Sequence, residues 1–206
     1  MSGLFLIVGL GNSGSQYIQT RHNAGFWFMD TLLKETGSGL RVQSKLAAEV
    51  CRSRLFGRDC ILAKPTTFMN LSGQPVRAVM DYYRVHAGNV LIAYDELDLP
   101  VGTARLKLGG GHGGHNGMRN IFQHLGDTDF MRLRIGIGHP GHKDAVTAYV
   151  LSRPPADQQQ AIMHSIGDAM DVMPDLLGGK VAKAIKQLHT HRQDQDGDQG
   201  PDNNPG

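Results

Sequence analysis

An unbroken apolar run, Leu4-Phe5-Leu6-Ile7-Val8, stops at Gly9-Leu10-Gly11-Asn12-Ser13-Gly14. A run this short and this apolar reads as a strand buried on both faces, inside a mostly parallel sheet. Such a sheet needs helices on both faces, and its ligands bind beyond the carboxyl ends of its strands. Thr20-Arg21-His22-Asn23 follows closely. An imidazole and two amides, Asn12 and Asn23, are therefore expected near one such end.

Gly9, Gly11 and Gly14 also fit G-x-G-x-x-G, the dinucleotide fingerprint. That fingerprint needs a helix opening at the glycines, so that a pyrophosphate meets the helix N-terminus. Here the glycines lead into Ser15-Gln16-Tyr17-Ile18-Gln19-Thr20, and the first helical pattern starts near Asn23. The acid expected on the ribose should end a second strand. The candidates, Asp30 and Glu35, fall inside a helix pattern instead.

The 206 residues suffice for one domain with a real core, and 40% hydrophobic with 19% charged residues suits a soluble globular protein. No apolar run is long enough to span a bilayer, and no basic segment precedes the first one, so neither a membrane span nor a signal peptide is expected. Cytoplasm is the resulting expectation. Cys51 and Cys60 sit in strand-like runs and read as small buried hydrophobes rather than a disulfide framework. A net charge of +2 does not announce nucleic-acid binding, but it permits a local basic patch.

The remaining pattern alternates between helix and strand. Phe26, Met29, Leu32 and Leu33 form a helical stripe that ends at Thr36-Gly37-Ser38-Gly39. Ala48 to Leu55 and Cys60 to Lys64 read as a hairpin. Pro65 to Asn70 is a loop, after which Ser72 is predicted to cap a helix with Pro75 in its first turn and Val76, Val79, Met80 and Tyr83 inward. Asn89 to Tyr94 is a strand ending at Asp95-Glu96-Leu97-Asp98. Ala104 to Leu108 and Arg132 to Gly138 are further strands, with a helix on Met118, Ile121, Phe122 and Leu125 between them. Lys143 to Leu151 and Val181 to Leu188 read as short helices. A longer one starts at Pro154-Pro155 with Ile162, Ile166 and Met170 inward. The expected fold is single-domain α/β, a twisted, mostly parallel mixed sheet flanked by helices in three α/β/α layers, over residues 1–192. Residues 193–206 have no apolar side chain and are predicted to be a disordered polar tail.

Asn12 and His22, Asn70, Asp95, and His115 with Asn116 all fall at or after strand ends, so a parallel sheet would gather them on one edge. A neutral histidine can accept a proton near neutral pH, and a carboxylate such as Asp95 can fix its tautomer. Amide N–H groups can steady an oxyanion or hold a peptide backbone. No G-x-S-x-G elbow is present, and Ser13 and Ser15 suit loop chemistry, so an activated water is preferred to a serine. Each residue also has a plainer use. His22 could cap a helix or lie at the surface, Asn70 and Asn116 could be N-caps, and Asp95 could be a turn residue. Asp95, Glu96 and Asp98 could hold magnesium, and His112 with His115 resembles half a zinc site, but neither set is complete. Gly109 to Gly117 is predicted to be a mobile loop over the site. Strand alternation puts Arg105 with Lys107, and Arg132 with Arg134, on common faces. A phosphate site or ordinary solvated charges would both explain them.

Together these stretches are similar to the bacterial peptidyl-tRNA hydrolase family. The resemblance rests on Val8 to Asn12, Tyr17, Thr20 to Gly25, Pro65 to Gly73, Asp95 to Pro100, Gly109 to Gly117 and Arg132 to Pro140, in family order. It implies hydrolysis of the ester joining a peptide to the 3′ ribose of tRNA, without metal or cofactor, by a monomer. It implies His22 as general base, Asp95 as its orienting partner, and Asn12 as the amide that places water or stabilises the oxyanion. Tyr17, Met69, Asn70 and Asn116 would line the peptide and 3′-end cleft, and His115 would contact the RNA end beside it. Lys107 and Arg134, joined by Lys143, would clamp the tRNA 5′ phosphate. Ser13 stands where the family usually has proline. Two other classes remain open on sequence: a dinucleotide-dependent oxidoreductase, which NAD binding would favour, and a non-catalytic RNA-binding relative, which binding without turnover would favour.

Overall fold

In the computed structural model, residues 3–126 and 129–190 are described; the polar tail lies outside them. The first apolar run forms β1 (Phe5–Gly9), buried throughout and sheltered on both faces as its composition requires. It is the middle strand of seven. The others are β2 (Arg41–Gln43), β3 (Ala48–Leu55), β4 (Arg58–Pro65), β5 (Val90–Glu96), β6 (Ala104–Leu108) and β7 (Met131–Gly136), in the order β2-β3-β4-β1-β5-β7-β6. The pairs β4–β1, β1–β5 and β5–β7 are parallel. The hairpin β3–β4, the short β2 and the edge strand β6 pair antiparallel.

Helices cover both faces. On one, α1 (Ala24–Thr36), α5 (Ala156–Leu177) and α6 (Val181–Thr190) bury Phe28, Met29, Leu32, Ile162, Ile166, Met173 and Leu188 against Ile7, Leu62, Leu91 and Ile135. On the other, α2 (Gly73–Tyr83) and α3 (Asn116–Leu125) bury Val76, Val79, Met118 and Ile121 against Leu6, Val8, Ile61, Ile92 and Tyr94. Alternation along β1 sends Ile7 to the first layer and Leu6 and Val8 to the second, which is the three-layer arrangement in miniature. No helix among the described residues is long and apolar enough to cross a membrane.

The glycines after β1 serve packing, not phosphate. A Cβ on Gly9 would lie 2.4 Å from the Gly25 carbonyl oxygen. One on Gly25 would lie 2.3 Å from Ala93 O and 2.6 Å from Leu10 N. Helix α1 thus starts in contact with the ends of β1 and β5, closer than any side chain allows. Two short 3-10 turns, 15–17 and 21–23, stand between the glycines and α1, so the helix does not open at the glycines as the dinucleotide fingerprint requires.

Several expectations are corrected. Ser72 precedes α2 but does not cap it with its side chain; its Oγ donates to Met69 O at 2.8 Å. Tyr83 is only half-buried. The 143–151 segment divides into a 3-10 turn, Lys143–Ala145, and the short α4, Val146–Val150. Strand β2 was not anticipated, because its three residues are all exposed and show no apolar alternation.

Candidate active site

The carboxyl ends of β1, β4 and β5 and the N-termini of α1, α3 and α4 surround a cleft of about 340 Å³. Its lining includes Asn12, Tyr17, His22, Met69, Asn70, Asp95, His115 and Asn116, so every cleft residue expected from sequence is present.

Asp95 anchors it. As the next-to-last residue of strand β5, it has a side chain only 1% exposed. His22, held in the turn before α1, places Nδ1 2.9 Å from both carboxylate oxygens. His22 Nδ1–H therefore donates to Asp95, and Nε2 is left as the nitrogen available to the cleft. Burial pulls the His22 pKa down, but the charge of Asp95 and its hydrogen bond together raise it above 6.5. Burial likewise pushes the Asp95 carboxyl up; the His22 and His115 rings against it outweigh that and hold it well below the usual carboxylate range.

His115 lines the cleft as expected and is held there by two hydrogen bonds. It is the N-cap of α3: its Nδ1 accepts the Met118 N–H at 3.2 Å, and its Nε2 lies 2.9 Å from Asp95 Oδ1. Both ring nitrogens thus have partners within the protein. Asn116 opens α3, its Oδ1 accepting from Arg119, and Asn70 lies in a 3-10 turn, Met69–Leu71. Neither is an N-cap.

Asn12 is rigidly set. Its backbone N–H donates to Asn23 Oδ1 at 2.8 Å, and Asn23 Nδ2 donates back to Asn12 O at 3.1 Å. Its own Oδ1 accepts the Met69 N–H at 2.7 Å, which fixes the amide and leaves Nδ2 as the donor for a ligand. Ser13 is exposed beyond this clamp, so Asn12 is held by Asn23 and Met69 without a proline. Met69 contributes this backbone N–H; its sulfur is buried against Gly117, where a Cβ would come within 2.6 Å.

The other acids do not join Asp95: Glu96 and Asp98 lie near each other, each with a carboxylate oxygen 3.9 Å from where a Gly113 Cβ would be. Alternation along β5 turns Glu96 away from Asp95, and its Oε2 accepts from Arg134 Nε at 2.8 Å. Among the described residues, one group brings three atoms of metal-ligand type close together: those of His22, Asp95 and His115, within 4.8 Å. Its nitrogens nearest the carboxylate are already used as donors to Asp95. His112 binds the Gly114 N–H instead of joining His115.

Antiparallel register sets Lys107 opposite Arg132 and Arg105 opposite Arg134, so all four basic residues share one face at the sheet edge. Lys107 is exposed; Arg132 is buried and donates to Tyr94 Oη at 3.1 Å and Gly111 O at 2.7 Å. The latter bond, the bond from Gly109 N–H to Phe130 O, and His115 on Asp95 tie down the glycine-rich segment predicted to be mobile. Lys143 is exposed in the 3-10 turn Lys143–Ala145, on a different element from Lys107 and Arg134.

Arg21 was missed as a site residue. It is 4% exposed, stacks 4.1 Å over the Tyr149 ring, and donates to Ser152 Oγ at 2.6 Å and Gln158 Oε1 at 2.9 Å. It fastens the turn bearing His22 to the segment that follows α4. Its place beside His22 in Thr20-Arg21-His22-Asn23 was the available signal. The apolar wall of Phe68, Leu97, Val146, Val150 and Leu151 was also missed, because its members come from separate segments that no local period connects.

The fold and cleft define an α/β protein with an imidazole–carboxylate pair and fixed amides at the carboxyl edge of its sheet. The family model for peptidyl-tRNA hydrolase matches residues 6–196. The chain is 51% identical over 184 residues to a peptidyl-tRNA hydrolase of Halorhodospira halophila, covering 89% of this chain and 95% of that one. It is 50% identical over 188 residues to that of Coxiella burnetii, covering 91% and 98%. The crystal structure of peptidyl-tRNA hydrolase from Acinetobacter baumannii superposes with a TM-score of 0.88 at 46% identity, covering 91% of this chain and 95% of that one. The chain belongs to the peptidyl-tRNA hydrolase family, hydrolases acting on ester bonds.

Proposed function

We propose that this chain hydrolyses the ester between the peptide and the 3′ ribose of peptidyl-tRNA with a water activated by His22, and without a covalent intermediate. The observation that carries this reading is the His22–Asp95 pair at 2.9 Å in a cleft lined by fixed amides.

His22 Nε2 accepts a proton from water as the water oxygen attacks the ester carbonyl carbon. Asp95 keeps the tautomer that leaves Nε2 unprotonated and stabilises the imidazolium once it forms. The carbonyl oxygen becomes an oxyanion, for which Asn12 Nδ2 is the preset donor. Collapse breaks the bond to the ribose 3′ oxygen, which takes the proton from His22. The products are a peptide acid and a free tRNA 3′ hydroxyl. Asn70 and Asn116 offer amides to the peptide backbone, and Tyr17 with Phe68 forms an edge-on aromatic pair, 6.3 Å between centroids, at the apolar rim. Outside the cleft, Lys107, Arg134 and Lys143 are assigned to the tRNA 5′ phosphate. Arg134 would bring a charge already shared with Glu96, so Lys107 is the stronger contributor. The chain is proposed to act as a monomer, and the reaction belongs in the cytoplasm, where translation occurs. No resident metal or cofactor is assigned.

Two substrates test this reading: an N-blocked aminoacyl-tRNA and the matching N-blocked aminoacyl-adenosine. The protein should cleave both and strongly prefer the tRNA. Lys107→Ala should lower kcat/KM about tenfold on the tRNA alone, as loss of one charge-assisted phosphate contact predicts. Equal loss on both substrates removes the clamp. RNA binding without cleavage of either moves the chain to the non-catalytic class.

A further inference from the structure

Two imidazoles share one buried carboxylate, and the mechanism above uses only one of them. A ring nitrogen that accepts a backbone N–H carries no proton. His115 Nδ1 accepts from Met118, so its proton lies on Nε2 and points at Asp95 Oδ1, 2.9 Å away. The side chain is 8% exposed, and the Tyr94 ring packs edge-on against it at 5.0 Å. Protonating Nδ1 would break the cap on α3.

We propose that His115 is a positioning residue: a neutral N–H donor that holds Asp95 in place and screens part of its charge, so that His22 remains a neutral base near neutral pH. The inference rests on His22 being the base. An N–H bond to a carboxylate stabilises the anion and weakens its pull on a second partner. Without His115, Asp95 would direct its full charge at His22 and favour the imidazolium, which cannot take a proton from water.

The groups facing this pair leave His115 as the adjustable one. On the strand itself, Tyr94 is a buried phenol pushed up to about 12 by burial, and Glu96 is paired with Arg134. From the turn before α1, Arg21 is committed to Tyr149, Ser152 and Gln158. From β7, Arg132 is committed to Tyr94 and Gly111. In the loop beyond, Asp98 is exposed and His112 is bonded to Gly114. Asn12, from the end of β1, is uncharged.

The test compares kcat/KM against pH on N-blocked aminoacyl-tRNA for the intact protein, His115→Ala and His115→Gln, with an NMR titration of the His22 ring nitrogens in each. In His115→Ala the acidic limb should move up by about one pH unit, with KM little changed, and the His22 titration should move with it. His115→Gln keeps an N–H donor at the Nε2 position but loses the cap; it should return the limb most of the way. Should the alanine variant unfold, His115→Leu fills the space without a donor. An unmoved limb with raised KM would mean an RNA contact and overturn the proposal. A uniform fall in rate with an unmoved limb, shared by the glutamine variant, would mean a cap alone and also overturn it. A His22 titration that moves while the kinetic limb does not would uphold the coupling and overturn His22 as the base.

Discussion

At the scale of single residues, the site depends on which proton each nitrogen carries. Asp95 receives donors from two sides, and that fixes Nε2 of His22 as the acceptor. Asp95→Asn keeps the volume but offers an N–H in place of one oxygen. With the carboxamide oxygen on His115, its NH₂ faces His22 Nδ1 and forces the wrong tautomer. Turnover should fall about 10³- to 10⁴-fold with substrate binding nearly intact, measured as kcat and KM on N-blocked aminoacyl-tRNA. A fall below tenfold would show that the carboxylate is not needed to orient the base. The charge logic also sets a stability trend. Asp95 titrates below its ordinary value in the folded state, so its contribution is present above the unfolded carboxyl pKa of about 4 and is lost as pH falls through the folded one. His22 titrates above 6.5, so its contribution is present below that value and is lost as pH rises through the folded pKa.

At the scale of elements, the site is assembled by how closely α1 approaches the strand ends. Gly25 permits this, and His22 lies one turn upstream. Gly25→Ala would drive a Cβ into Ala93 O and Leu10 N, both backbone. Unfolding experiments should show a loss of about 1–3 kcal/mol or more, and turnover should fall about 100-fold because the base is displaced. Unchanged stability would contradict the close contact. The elements that the sequence disclosed were those with a strong local pattern: the unbroken apolar runs of β1 and β5, the amphipathic period of α2 and α3, and the β3–β4 hairpin. Strand β2 stayed hidden because an edge strand buries nothing. The sheet edge that bears the cleft was legible because polar residues repeatedly follow apolar strands. The links across it were not. Asp95 to His115, Arg21 to Tyr149 and Arg132 to Gly111 join residues whose contact depends on strand order and loop path.

For the whole molecule, a net charge of +2 is small for a protein that handles a polyanion. On the reading proposed here, attraction comes from the basic face on β6 and β7 rather than from an overall positive field. The apparent tRNA affinity should therefore fall with salt at a shallow slope, and Lys107→Ala should reduce that slope by about one. A slope unaffected by Lys107 would place the RNA elsewhere. The same compact sheet keeps this face outside the cleft, so tRNA affinity and ester chemistry can be separated by mutation. That separation makes the decisive measurement simple: single-turnover release of peptide from N-blocked aminoacyl-tRNA by the intact protein and by His22→Ala, with tRNA binding followed in parallel. Release that drops by about 10²- to 10⁴-fold while tRNA binding persists is the predicted result. Near-normal release from His22→Ala would contradict the account, because no other described side chain in the cleft pairs an accessible imidazole nitrogen with a buried carboxylate.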